Sequence, residues 1–347
     1  MPQISPMKYR EVLDEHRRRL AAIVDQRGVR AMKKLYDDAT AEIVRKLAAI
    51  APNRQNSFEA HHNRMVLAQL KEGSAMLARR MYGELGDLTR EAQVDAVRGL
   101  DKMITRLEQH HSGLTPVLPT ADAARFAGII DSKRTSLLRE FPRGTQNRIE
   151  RQGVKRVAER MNMQQRQANS VANLAVSIIG KCEKELALST LQNEPAHATI
   201  DRIHGVIDGQ WYESERIVRT EGAWAQNASA RDTVDAVAER IPQMRSRWSE
   251  HVSDDGSYLP LDDRVAVDSL ALHGQVADMG GLFTMPATAP RGTLKHPNKV
   301  DVPTALVGGQ WDHPPDRPND RSCVAPWRPE WGGVGWRYEN GRRVPLN

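Results

Sequence analysis

Three sets of side chains in this sequence could do chemistry. His296, His313 and Cys323 share one loop-rich region, and imidazole with thiolate suits zinc. A structural zinc wants four ligands, often from CxxC or HxxxH pairs, whereas this cysteine is single and the histidines are widely spaced. The expectation is therefore an apolar thiol and two surface histidines. The pairs His61-His62 and His110-His111 are helical neighbours that point in different directions, which makes them poor joint ligands. In the second set, Arg143, Arg148, Arg151, Lys155, Arg156, Arg160 and Arg166 outnumber Glu150 and Glu159 over 143–167. Such a helix could lie along phosphates, attracting them without reading sequence. No aromatic residue interleaves there to stack on bases, so a solvated helix face is the expected role. The third set is Glu213 and Glu215, two carboxylates on either side of Ser214 and close to Arg216.

The spacing of Glu213 and Glu215 is similar to that of the paired glutamates of ADP-ribosyltransferases, but the upstream serine-rich strand of that family is absent. Two solvated helix carboxylates are the expected reading. No GxxxxGK[ST] or GxGxxG loop cradles phosphate, and no GxSxG elbow presents a serine. The sequence thus points away from an enzyme and calls for no cofactor.

The elements that must position these residues fall into two regimes. The chain has 347 residues, 39% hydrophobic and 27% charged, with a formal net charge of +6. That composition suits long helices better than one large globule, because elongated helices bury less apolar area per residue. Mild basicity is compatible with work near nucleic acid. The longest apolar run, 171–180, is too short to span a membrane, and no apolar leader opens the chain. Two distant cysteines give no disulfide framework, as in a reducing compartment.

From Tyr9 to about Ala51 one apolar stripe runs through Leu13, Leu20, Ile23, Val24, Met32, Leu35, Ile43 and Leu47, until Pro52 ends it. Helical stretches follow near 57–84, 87–112 and 120–141, separated by "GELGD" and "HHSGLTPVLPT". A long helix is expected over about 145–191, broken by "NEPAH", and a helix pair over 196–241. All seven tryptophans lie between Trp211 and Trp336, and beyond Pro242 the helical rhythm gives way to turns and short apolar runs. The expected fold is a mainly α N-terminal region followed by a small, loop-rich α+β module. The expected divisions are 1–195, 196–330 and a tail at 331–347, where Asn340-Gly341 favours a two-residue hairpin.

Taken in order, the C-terminal residues resemble the phage Mu F-like head morphogenesis, or minor capsid, family over about 196–325. That family shows an Arg-Thr-Glu step followed by small residues and asparagine, matched by Arg219, Thr220, Glu221 and Asn227. A Trp ahead of an acidic-Arg turn follows, matched by Trp248, Asp263 and Arg264, then an L-x-G-Q pattern at Leu272, Gly274 and Gln275. Phe283 and Pro286 fit the next short segment. The proline-rich P-N-x-R-C close is supplied by Pro318, Asn319, Arg321 and Cys323. The sequence departs from the family at Ser269, where a His is common, and in ending with one cysteine where two are frequent.

The resemblance implies a non-enzymatic virion protein acting in prohead assembly, associated with the portal protein and with the major capsid or scaffold protein. It would stay in the head interior near the portal vertex, after assembly in the host cytoplasm. The other readings are an internal or ejected protein that binds DNA non-specifically through Arg148, Arg151, Lys155, Arg156 and Arg160, or a phage-encoded ADP-ribosyltransferase or metal-dependent enzyme. The local expectations are physical. Arg219 and Glu221 project to different helix sides and pair with other segments. Arg264 and Arg321 order loops through their guanidinium forks. Gly274 allows a turn with positive φ, while Trp248 and Phe283 supply a small core.

Overall fold

A computed structural model describes residues 6–50, 60–112, 143–192, 194–238, 241, 243–250, 269–285, 310–314, 322–331, 335–339 and 342–346. The expected helix at 120–141 lies outside them, as do His296, Asp263, Arg264, Asn319 and Arg321.

The first apolar stripe folds as one helical run. Helix α1 (Pro6–Ala21) passes through a wider π-type stretch (Ala22–Gly28) into α2 (Val29–Ile50). Leu13, Leu20, Val24, Met32, Ile43 and Leu47 of the stripe are buried. At the start of the wide stretch the Leu20 carbonyl accepts from Gln226 Nε2 at 3.3 Å, and such side-chain intrusion accompanies local unwinding of a helix.

The expected break at "GELGD" does not occur. Helix α3 runs unbroken over Ala60–Ser112. Gly83 and Gly86 sit where an added Cβ would meet nothing within 4 Å, while Met81, Leu85 and Leu88 beside them are buried. Each glycine costs a helix about 1 kcal/mol, less than the roughly 2 kcal/mol that each buried neighbour contributes. Helix α4 (Arg143–Leu191) ends before Pro195, whose φ of −69° opens α5 (Ala196–Gly209). Gln210 caps α5, and α6 (Trp211–Ala238) follows at once.

The strands are short. In a three-stranded antiparallel sheet, β1 (Arg245–Ser249) lies between β2 (Val276–Ala277) and β5 (Cys323–Trp327). Pro326 is tolerated because β5 is an outer strand, where a missing N–H leaves no neighbour unpaired. Two smaller pairs join β3 (Phe283–Thr284) to β4 (Gln310–Trp311), and β6 (Trp336–Glu339) to β7 (Arg342–Pro345). Glu339 stands opposite Arg342, the register of a two-residue connection at Asn340-Gly341.

Two compact units interleave along the chain, dividing it elsewhere than at residue 195. One comprises 25–88 and 157–221; the other comprises 1–24, 89–156 and 222–347. The named elements of the first are all helices. Ile203 and Ile207 of α5 and Val218 of α6 are buried, as are Tyr36, Ile43 and Leu47 of α2, and Tyr36 donates to the Ile207 carbonyl at 2.5 Å. Gly73 of α3 lies so close to Ile43 that a Cβ would fall 2.6 Å from it.

In the second unit the strands borrow their core from distant sequence. Tyr9 and Leu13 of α1, Leu100, Ile104 and Leu107 of α3, and Val234 and Val237 of α6 pack with Val324, Ala325, Trp327 and Trp331. Strands of two to five residues cannot bury enough surface alone, and the helices supply what they lack. Tyr9 also donates to the Pro326 carbonyl at 2.9 Å, and Arg328 pairs with Glu108 at 2.6 Å.

Candidate functional site

The polar residues of the strand-bearing unit gather along β1. Trp248 is fully buried against Phe283, with ring centroids 5.3 Å apart at 77°, in a small core with Ala271, Leu272, Ala277 and Met285. This is the core expected of Trp248 and Phe283. Gly274, at φ 79°, turns the chain so that its N–H meets the Trp248 carbonyl at 2.9 Å. Gln275 then uses its side chain like a peptide group. Its Nε2 donates to the Thr284 carbonyl at 3.1 Å, and the Thr284 N–H donates to its Oε1 at 2.7 Å.

Asn227 of α6 repeats the device on β5. Its Nδ2 donates to the Ser322 carbonyl at 3.0 Å, and Val324 N–H donates to its Oδ1 at 2.8 Å. Cys323 lies between these two contacts, 3% exposed. Burial pushes its thiol up, with Arg17 opposing, so it is held protonated and out of reach of solvent.

Glu250, 2% exposed, accepts from Trp248 Nε1 at 3.0 Å and from the Ser322 hydroxyl. Its backbone N–H donates to His273 Nδ1 at 3.1 Å. Arg17, reaching in from α1, donates to Ser249 Oγ and to the Glu250 carbonyl at 2.6 Å. The C-terminal hairpin docks here also. Trp336 Nε1 donates to the His273 carbonyl at 2.8 Å, and Arg343 donates to the Ala271 carbonyl at 3.0 Å while stacking over Trp336.

A second clamp is Arg231, 3% exposed, which donates to the carbonyls of Asp278 (2.7 Å), Gly281 (2.9 Å) and Asp312 (3.4 Å), and pairs with Asp235 at 3.1 Å. The turn it holds, with Gly280 at φ 70°, presents Met279 and Leu282 to solvent, 56% and 49% exposed. Sequence reading missed Arg17, Arg231, Glu250 and His273. Only Arg231 carried a signal, its i,i+4 spacing to Asp235.

Not all the motif residues meet. Arg219, Thr220 and Glu221 belong to the all-helical unit. Arg219 pairs with Asp25 at 3.0 Å and with Glu215 at 2.7 Å, and Glu221 pairs with Arg166 at 3.0 Å, so each does engage another segment. Burial pushes the Glu221 carboxyl up against the opposing pull of Arg166. Thr220 bonds back to the Arg216 carbonyl at 2.7 Å, within its own helix.

No known family, curated protein or solved structure matches the chain.

The remaining sequence candidates are placed as follows. Glu213 and Glu215 each pair with an arginine of their own helix, Arg216 at 2.5 Å and Arg219 at 2.7 Å. His313, expected at the surface, is buried at 6% exposure under the edge of Trp224, with ring centroids 5.2 Å apart. Its Nδ1–H donates to the Pro314 carbonyl at 2.5 Å, and the ring contact with Trp224 of a distant helix is what sequence spacing could not reveal. Among the described residues no three acidic, His or Cys side chains cluster in reach of one metal ion. Both cysteines are free thiols, and burial pushes Cys182 up to about 12. Arg148, Arg151, Lys155, Arg156 and Arg160 lie on helix α4, their side chains outside the described set. No helix among the described residues is long and apolar enough to cross a membrane.

Proposed function

We propose that this chain is a bacteriophage minor capsid protein that acts in prohead assembly, associates with the portal vertex and stays inside the head. The order of the motif residues supports this reading, and one structural observation gives it a mechanism. Buried Arg231 pins the 278–281 turn by its backbone, so Met279 and Leu282 project from a rigid base. An exposed apolar pair that is already ordered loses little entropy on docking. The polar groups around β1 hold backbone in place, and none pairs an accessible nucleophile with a base, which favours docking over catalysis. The portal protein is the proposed partner, with the major capsid or scaffold protein beside it.

Co-expression with the portal protein of the same phage genome, followed by size-exclusion chromatography, tests this. A joint peak at moderate salt is expected, lost in the double variant Met279→Asp, Leu282→Asp although that variant keeps its helical circular dichroism. Separate elution of the unaltered protein at both low and moderate salt would overturn the reading. DNA retention that falls steeply with salt would favour an internal DNA-binding role instead.

A further inference from the structure

The all-helical unit holds a pocket of about 410 Å³, lined by Lys33, Tyr36, Asp37, Thr40 and Ala41 of α2, His204 and Asp208 of α5, and Trp211 at the start of α6. The α2 residues recur at three- and four-residue intervals and so share one face of that helix. Tyr36 and Trp211 form an aromatic corner, ring centroids 5.6 Å apart at 64°. The Tyr36 hydroxyl is already spent on the Ile207 carbonyl. Thr40 is only 2% exposed, yet its Oγ1 finds no hydrogen-bond partner among the described residues. A buried hydroxyl without a partner costs about 1–3 kcal/mol, so the wall of the pocket carries one unmet polar group.

Charge decides what could meet it. The lining carries two carboxylates, Asp37 and Asp208, against one lysine and one histidine, and His204 Nε2 stands 3.4 Å from Asp208. An anionic ligand would face that excess, whereas a cation would gain from both carboxylates and from the indole face. Lys33 already shows the arrangement: its Nζ stands 5.3 Å from the Trp211 ring centroid while paired with Asp37. That pair is exposed on both sides, 47% and 51%, and such pairs contribute little, so Lys33 is a weak occupant that a better cation can displace. A guanidinium is the better cation. It is planar, stacks on an indole, and spreads five N–H donors over several acceptors at once, where an ammonium offers a point charge. The volume exceeds one guanidinium and leaves room for an aliphatic stem.

We propose that this pocket binds an arginine side chain of a partner polypeptide, stacked on Trp211 between Asp37 and Asp208, with Lys33 as the internal group it displaces. The inference stands on the all-helical unit alone and is independent of the capsid reading.

The test uses the full chain labelled with 5-fluorotryptophan, the Trp211 fluorine signal being assigned by its loss in Trp211→Phe. N-acetyl-arginine amide is titrated in parallel with N-acetyl-citrulline amide, an uncharged isostere, and with AMP. The expected result is a saturable Trp211 shift with the arginine probe and none with citrulline or AMP. Asp37→Asn and Asp208→Asn should each weaken binding roughly three- to ten-fold. Lys33→Met should strengthen binding, because it removes the competitor, and this exposed position can change without threatening the fold. No saturable shift below roughly 50 mM probe, equal binding of citrulline, tighter binding of AMP, or weaker binding by Lys33→Met would each overturn the proposal.

Discussion

An amide side chain carries a donor and an acceptor in the same arrangement as a peptide group, so one buried Asn or Gln can close both bonds of a strand that lacks a neighbour. Asn227 does this for β5 and Gln275 for Thr284. Removing such a group leaves two buried backbone partners unmet, each costing about 1–3 kcal/mol. Asn227→Ala should therefore lower unfolding stability by roughly 2–4 kcal/mol, read as a shift in the urea midpoint. Asn227→Asp should rescue little, because a carboxylate still accepts from Val324 N–H but turns an acceptor toward the Ser322 carbonyl. If the Asp variant recovers most of the loss, the second bond contributes little. Arg231→Met makes a parallel case. It leaves the Gly281 carbonyl without its donor and the Asp278 carbonyl with the Gly281 N–H alone, and a loss of roughly 1–3 kcal/mol is expected by the same measurement. Asn227, Gln275, Gly274 and Trp248 stood out in the sequence only through a resemblance in the order of residue types, which no comparison with a known family bears out. The sequence could not mark Glu250, His273 or Arg17, whose partners lie up to 233 positions away.

Glycines in α3 show how an element overrides a local signal. "GELGD" reads as a boundary because two glycines weaken a helix, yet α3 continues, carried by the buried side chains around them. The same helix offers opposite outcomes for one substitution. Gly83→Ala and Gly86→Ala add a Cβ in open space and should each stabilise by about 0.5–1 kcal/mol. Gly73→Ala would drive its Cβ to within 2.6 Å of Ile43 and should destabilise despite the same gain in helix propensity. Thermal unfolding of the three single variants checks this, and a rise in Tm for Gly73→Ala would show that Ile43 moves aside at little cost. The long helices, the break at Pro195 and the hairpin arms were legible, because proline and apolar periodicity act within a few residues. The compact units were not. Their borders fall inside the π-type stretch and inside α3, α4 and α6, all within continuous helical runs, and the core of the strands depends on Tyr9 and Leu13 near the other end of the chain.

At the scale of the whole molecule, acidity should act on the strand-bearing unit through His16. This residue is 4% exposed, and neither ring nitrogen has a hydrogen-bond partner among the described residues. The Gly99 side of α3 closes over it, a Cβ there falling 3.2 Å from Nδ1. Burial first, then the neighbouring Arg19 and Arg17, against Asp95, lower its pKa from 6.5 to about 4. The unfolded chain therefore binds the proton more readily than the folded one. Stability is intact above pH 6.5 and falls as pH drops from there toward 4, by on the order of 3 kcal/mol in all. Glu221, in the all-helical unit, works in the other sense. Its raised pKa means the folded state holds the proton better, so acid relieves a burial cost there. Urea midpoints at pH 7, 5.5 and 4.5 separate His16 from the carboxylates when the chain is compared with His16→Leu. The variant should lose less stability between pH 7 and pH 4.5 than the unaltered protein, since leucine fills the same buried site without a proton to accept. Equal slopes would mean that His16 binds its proton equally well in the folded and unfolded chain, so that burial does not lower its pKa.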